Sequence, residues 1–115
     1  TPTPSSMHVG DLDVTKTTGG INNWDATVTM TIHNSNHLPL ASVRVNFSWT
    51  DGPGTVTGEC MTNSAGMCST TSRKNGTSPK TLVVTNLTGT LPYSPSNNHD
   101  PDGDSNGTRI IRSAP

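Results

Sequence analysis

Apolar and polar residues alternate along much of the chain with a period of two. In the clearest run, residues 24–32, Trp, Ala, Val, Met and Ile alternate with Asp and Thr. In a second run, residues 43–49, Val, Val, Phe and Trp alternate with Arg, Asn and Ser. Successive side chains of a β-strand point to opposite faces, so each run predicts a strand with one buried face.

Turn-forming residues separate these two runs from shorter ones of the same kind. The other predicted strands are residues 8–18, 55–62, 67–73, 81–87 and 109–112. None of the segments has the 3.6-residue apolar period of a helix. The pattern therefore predicts an all-β chain, folded as an immunoglobulin-like antiparallel β-sandwich of about seven strands.

The chain is poor in hydrophobic residues, at 28%, and its net charge is only -1. Thr-rich strand faces account for the shortage, because Thr favours strands and suits their solvated side. The near-neutral charge argues against nucleic-acid binding, and no apolar run approaches the length of a membrane span. We therefore expect one domain with a thin core, without nucleic-acid binding or membrane insertion.

The first six residues, T-P-T-P-S-S, form a Pro/Thr/Ser stretch typical of linkers between extracellular modules. We interpret residues 1–6 as a linker remnant and residues 7–115 as the sandwich domain. Because the sequence starts at Thr1 without Met or an apolar signal, we expect a mature or excised segment.

Cys60 and Cys68 are the only two cysteines, and a turn signal lies between them. If residues 62–66 form a hairpin turn in which Gly66 has a positive φ, the cysteines face each other on adjacent strands. A disulfide over so short a loop contributes about 2–3 kcal/mol in the chain-entropy model. Metal ligation and redox work are the alternatives, without a C-x-x-C motif to favour them. The disulfide predicts an oxidising, extracellular location.

Residues 97–108, N-N-H-D-P-D-G-D-S-N-G-T, place oxygen ligands at alternate positions of a turn-rich loop, an arrangement that suits Ca²⁺. The candidate ligands are Asp100, Asp102, Asp104 and Asn106. A frame that begins at Asp102 matches the first half of an EF-hand loop. Ser113 stands where the bidentate Glu of that loop would be, so a further carboxylate must come from elsewhere.

Asp11 and Asp13 are the candidates for that further carboxylate. If the strands alternate in direction, both lie at the same end of the sandwich as the acidic loop. Clustered carboxylates repel one another at neutral pH unless a cation is present. We therefore predict a calcium site there, the alternative being a merely polar, turn-rich loop.

The histidines raise a second option, a transition-metal site. They are His8, His33, His37 and His99. The H-x-x-x-H spacing of the middle two faces one side only on a helix, and the sequence has no H-E-x-x-H motif. On a loop the spacing indicates little, so we interpret the histidines as solvated or hydrogen-bonded loop residues.

Motifs that would indicate catalysis are missing. The chain has no G-x-S-x-G elbow, no βαβ pattern and no phosphate-cradling glycine loop. Glu59 is its only glutamate, and little chain is left to build a substrate cleft around paired carboxylates. We therefore expect that the protein is not an enzyme.

Three motifs are similar to those of one family: A-T-V-T-M-T-I, N-H-L-P-L-A-S-V-R-V and T-N-S-A-G-M. Through them residues 24–69 resemble the bacterial immunoglobulin-like (Big, invasin/intimin-type) domains. The chain ends, M-H-V-G-D-L-D and N-H-D-P-D-G-D-S-N-G-T, look like a module found near the C-termini of secreted bacterial proteins. The resemblance implies a non-catalytic extracellular module and does not identify a ligand.

We expect a calcium-stabilised accessory module that acts as spacer, adhesion or assembly unit of a secreted or cell-surface protein. Its expected partners are other domains of that protein, or an extracellular protein or glycan. One alternative is a carbohydrate- or matrix-binding module of a secreted hydrolase, with Tyr93, Trp24 and Trp49 as candidate aromatic contacts. Another is a filament subunit whose N-terminal segment pairs with a neighbour's sheet edge.

Overall fold

In a computed structural model, the chain forms two antiparallel sheets packed face to face. The structure describes residues 3–20, 23–51, 54–75, 79–100 and 105–112. The strands are β1 (Met7–Gly20), β2 (Asn23–Asn34), β3 (Arg44–Asp51), β4 (Gly54–Met61), β5 (Met67–Asn75), β6 (Lys80–Thr88) and β7 (Arg109–Arg112). The first sheet has the order β1-β2-β5 and the second β4-β3-β6-β7. The predicted all-β, immunoglobulin-like sandwich of seven strands is confirmed.

Helical structure in the described ranges is limited to a short 3-10 helix, Pro95–Asn97. None of the helices there has the length and apolar character needed to cross a membrane.

The alternation along β2 and β3 decides which side chains form the core. Trp24 and Trp49 are both buried, as expected of core residues. The Trp49 indole N–H donates to Thr70 Oγ1 across the sandwich at 3.2 Å. Lys80, also buried, places its ammonium 5.0 Å from the centre of the Trp24 ring. Both tryptophans therefore pack inside and are not exposed for a glycan.

The disulfide between Cys60 and Cys68 is present, but the predicted hairpin around it is wrong. β4 pairs with β3, whereas β5 pairs with β2 in the other sheet. The turn between them has the predicted positive φ at Gly66, 76°, and carries the chain from one sheet to the other. The bridge therefore joins the edge strands of the two sheets, and it restrains the sandwich along one side.

After β6 the chain returns along the outer edge of β1 as a segment that we call the β1-edge segment, residues 92–99. Met7 N–H donates to Pro92 O at 2.9 Å, and Ser94 N–H donates to Met7 O at 2.8 Å. Further along, the Asn98 side chain accepts a hydrogen bond from Val9 N–H at 2.8 Å. These bonds hold the β1-edge segment beside the start of the first strand.

Candidate metal centre

His8 and His33 face each other across the hairpin that β1 and β2 form. His8 in β1 is the direct partner of His33 in β2. Directly opposed residues of an antiparallel pair lie on the same face, with Cβ atoms about 5 Å apart. Their neighbours Val9 and Ile32 are buried in the core, so the two histidines occupy the outer face of the sheet.

His37 comes from the turn that follows β2. Its N–H donates to Asn34 O at 2.9 Å, and Asn34 N–H donates to Leu38 O at 2.9 Å. The Asn34 side chain closes the turn by accepting from the N–H groups of Asn36 at 2.8 Å and Leu38 at 3.1 Å. This tight turn folds back toward the outer face and brings His37 to the first two histidines.

His99 ends the β1-edge segment. Its N–H donates to Val9 O at 3.1 Å, which fixes its backbone beside His8. The ring Nδ1 lies 3.2 Å from Asn97 O, and a carbonyl only accepts, so Nδ1 carries the proton. That tautomer leaves Nε2 with its lone pair, the state in which a histidine binds a metal while its other nitrogen is held by a carbonyl.

The four side chains converge on one point. We call the group of His8, His33, His37 and His99 the four-histidine cluster; one ligand nitrogen from each lies within 4.8 Å of the others. The separations between ring centres are 6.0, 5.1, 5.2, 6.3, 6.3 and 5.5 Å. Four points with six similar separations form a tetrahedron. In a square arrangement, the two diagonals would both be about 1.4 times longer than the sides. Here no two separations that join different pairs of rings are both longer than the rest by that factor.

The tetrahedron has nearly the size that zinc requires. With Zn–N bonds of about 2.0–2.1 Å, the ring centres of four bound imidazoles lie about 5.2 Å apart. The three separations among His8, His37 and His99 are 5.1, 5.2 and 5.5 Å. The three separations to His33 are 6.0 to 6.3 Å, so this ring is set back by about 1 Å and moves inward on binding.

The buried members of the cluster lack other partners. His8 is 1% exposed, and within the described part of the chain neither of its ring nitrogens has a hydrogen-bond partner. The same holds for Nδ1 of His33. A buried polar group without a partner costs about 1–3 kcal/mol, so such groups call for a physical explanation. A metal ion among the four rings would bind one of the two nitrogens of His8.

Burial keeps two of the rings, those of His8 and His33, neutral. Burial lowers the pKa of His8 to about 4, with a further contribution from the neighbouring His99, His37 and His33. Burial also lowers the pKa of His33, and the neighbouring His99 and His37 lower it further. Since only neutral imidazole binds a metal, both residues are in the binding state at neutral pH.

The sequence interpretation of the histidines as separate loop residues missed this arrangement. Two of them lie on strands, and all four come from segments that meet only in the folded chain. The available signal was the hairpin itself, because a strand pair joined near residues 20–23 brings positions 8 and 33 close to register. The contribution of His99 had no comparable local signal.

The predicted carboxylates partly come together beside the cluster. The register places Asp11 and Asp13 on the same outer face of β1, one step further along from His8. The pKa of Asp11 is raised to about 8. Burial is the largest cause, and the hydrogen bonds to Asp100 and Asp13 raise the pKa further. The start of the acidic loop, at Asp100, therefore lies beside Asp11.

The other members of the predicted calcium set are Asp100, Asp102, Asp104 and Asn106. Asp102 and Asp104 lie outside the described residues. The Asn106 side-chain oxygen accepts from the N–H groups of Thr108 at 2.9 Å and Arg109 at 2.7 Å, and so it caps a turn. Asp100 accepts a hydrogen bond from Ser105. Calcium binding at this acidic group stays a prediction.

The Asp11 carboxyl gives a pH dependence that a variant can isolate. Its pKa is raised from 3.8 to about 8, so the metal-free fold loses stability as pH rises between these values. We expect Asp11→Asn to remove about 2 kcal/mol of that loss, less than the full shift because the carboxyl is partly exposed. Urea unfolding in chelator at pH 5 and pH 9 measures the difference.

The matched control is Glu59→Gln, which removes an exposed carboxylate on β4. The stability difference between this variant and the parent should not grow with pH. A pH profile of Asp11→Asn that runs parallel to the parent profile would contradict the account of the acidic group.

Comparison of the chain with protein-family models, with curated proteins and with solved structures finds no match. The class of protein therefore rests on the fold and the site: a disulfide-linked, immunoglobulin-like β-sandwich with a four-histidine cluster on the outer face of its first sheet.

Proposed function

We propose that this chain is an immunoglobulin-like accessory module closed by a transition-metal ion, with Zn²⁺ preferred, at the four-histidine cluster. The observation that carries the proposal is the near-regular tetrahedron of imidazoles, one of which belongs to the buried His8 and has no hydrogen-bond partner among the described residues. Four nitrogen ligands in a tetrahedron favour Zn²⁺ over Cu²⁺ and Ni²⁺, which prefer square or tetragonal sites.

The role of the ion is structural. It joins the paired strands β1 and β2 to the turn after β2 and to the β1-edge segment, which are held there otherwise by a few hydrogen bonds. Four protein ligands fill a tetrahedral shell, whereas catalytic zinc sites keep one position for water or substrate. This supports a non-catalytic module, in agreement with the catalytic motifs that the sequence lacks.

The wider setting of the module follows from its disulfide. Disulfides persist in oxidising compartments, which supports a secreted or cell-surface protein. The resemblance of residues 24–69 to Big domains points the same way, toward a spacer, adhesion or assembly unit of a larger bacterial surface protein. A small sandwich with a thin core gains from such cross-links because hydrophobic burial alone stabilises it weakly.

A calorimetric titration of chelator-stripped protein with Zn²⁺ tests the proposal. We expect one ion per chain, with proton release small at neutral pH because His8 and His33 are already neutral. His99→Ala should abolish that stoichiometric binding, since it removes one ligand and leaves both sheets intact. Stoichiometric binding that survives in His99→Ala would place the ion elsewhere and overturn the proposal.

A further inference from the structure

The four ligands of the cluster differ in how firmly the fold holds them. His8 and His33 are direct partners in the ladder between β1 and β2, which fixes their backbones. Two hydrogen bonds fix His99. Its own N–H donates to Val9 O, and the side chain of the preceding Asn98 accepts a hydrogen bond from Val9 N–H. These three residues are buried or half-buried, so external molecules have little access to their metal bonds.

His37 is the exposed member. Its backbone has φ 61°, a left-handed conformation that residues with a side chain adopt reluctantly. Strain of this kind concentrates at functional positions, where other contacts hold the residue in place. His33 is set back further from the other rings, but it is half-buried and so offers a poorer route for exchange with solvent.

The turn that carries His37 does not depend on its side chain. Asn34 closes the turn through its backbone and its amide oxygen, which bonds Asn36 and Leu38. The imidazole can therefore leave the metal without the loss of any of these hydrogen bonds. The site thus has three fixed ligands and one that can be released toward solvent.

We propose that His37 is the exchangeable ligand of this site, and that a metal ion held by His8, His33 and His99 accepts an external carboxylate in its place. The inference rests on the proposed function. Neutral imidazoles leave both positive charges of a divalent ion uncompensated, so an anion is favoured over a neutral ligand at the exposed position. A single external carboxylate is then the ligand class that this site recognises.

The exchange leaves three histidines and one external ligand, the arrangement of zinc sites with an open position. The net reaction is a substitution: one metal–nitrogen bond to His37 breaks, one metal–oxygen bond to the carboxylate forms, and no proton or electron is transferred. Exposed Leu38 lies next to His37 and adds apolar surface at the rim.

Co²⁺ is the probe for the test, because its visible absorption changes with the ligand set, whereas Zn²⁺ is silent. The compared proteins are the parent, His37→Gly, His8→Ala and His99→Gln, each first shown to be folded by circular dichroism. Ser42→Gly is the matched control, since Ser42 has φ 60° and lies outside the cluster. Each Co²⁺-loaded protein is titrated with sodium acetate and, separately, with azide.

We expect His37→Gly to lower Co²⁺ affinity by about tenfold, because three fixed ligands suffice, and His8→Ala and His99→Gln to lower it by more than about 100-fold. Acetate should change the spectrum of the parent saturably, and that of His37→Gly at about tenfold lower concentration, because no internal imidazole competes. Ser42→Gly should behave as the parent.

Three outcomes overturn the inference, and they are distinguishable. If the parent takes up no Co²⁺, the proposed function fails and the inference fails with it. If the parent binds Co²⁺ but His37→Gly loses it as completely as His99→Gln, the site stands and His37 is not exchangeable. If His37→Gly binds Co²⁺ but neither acetate nor azide changes its spectrum, the external ligand is wrong.

Discussion

Addition of Zn²⁺ to the chelator-stripped protein raises the midpoint of thermal unfolding by about 15 °C. The reason is linkage: an ion that binds the folded chain and not the unfolded one stabilises it by about 4 kcal/mol when its free concentration is about a thousand times Kd. The four ligands lie at positions 8, 33, 37 and 99, so the unfolded chain cannot present them together. Calorimetry with Zn²⁺ and with excess chelator measures the shift.

Two variants separate this effect from general ion binding. His33→Ala should lose the Zn²⁺-dependent shift because it removes one of the three ligands that the fold holds in fixed positions. Asp11→Asn should keep the shift, since its carboxyl belongs to the acidic group and not to the cluster. A Ca²⁺-dependent shift, which the sequence predicts, would instead depend on Asp11. Equal midpoints with Zn²⁺ and with chelator would refute a structural role for the ion.

Gly10→Ala lowers Zn²⁺ affinity by about 100-fold or more, the size of effect seen when the groups that orient metal ligands are removed. Gly10 lies in a β-bulge of β1, directly against the ring of His33. A Cβ at this position would lie 2.3 Å from Nδ1 and 2.5 Å from Cε1 of that ring. Because pairing with His8 fixes the backbone of His33, its ring has to leave the position that it holds in the cluster.

Gly89→Ala is the matched control for this change. A Cβ there meets Val43 Cγ2 at 3.5 Å and Met7 Cε at 3.6 Å, ordinary van der Waals contacts. We expect parental Zn²⁺ affinity in this variant. Competitive titration with a chromophoric chelator compares the three proteins, and parental affinity in Gly10→Ala would show that the position of the His33 ring does not matter for binding.

The strands could be predicted from the sequence because their signal is local. The run at residues 24–32 falls inside β2, and the runs at 43–49 and 81–87 correspond closely to β3 and β6. Period-two alternation reports directly which side chains face a core, so it identified both tryptophans as core residues as well. The fold class followed from the number and spacing of such runs.

The pairing of β4 and β5 could not be predicted in the same way. A short segment between two strands with a glycine at positive φ fits a hairpin, and it fits equally a crossing between sheets. The cysteines satisfy either arrangement, since their Cα atoms are 6.0 Å apart although their strands belong to different sheets. Only the long-range partners of each strand, β3 and β2, distinguish the two.

The four-histidine cluster was beyond sequence reasoning for a related physical reason. Its geometry depends on the register of β1 against β2, which the bulge at Gly10 shifts by one residue, and on the return of the chain along β1. Neither leaves a local spacing that a motif could record. The acidic loop, by contrast, carries its pattern in consecutive residues, and this local pattern drew the metal prediction to calcium.

X-ray absorption spectroscopy at the zinc edge of the loaded protein shows which ligands hold the ion. We expect four nitrogen neighbours at about 2.0 Å, with the outer-shell scattering of four imidazole rings. The same measurement on His99→Ala should show fewer imidazoles or no bound zinc. A first shell of oxygen atoms without imidazole scattering in the parent would contradict the four-histidine centre.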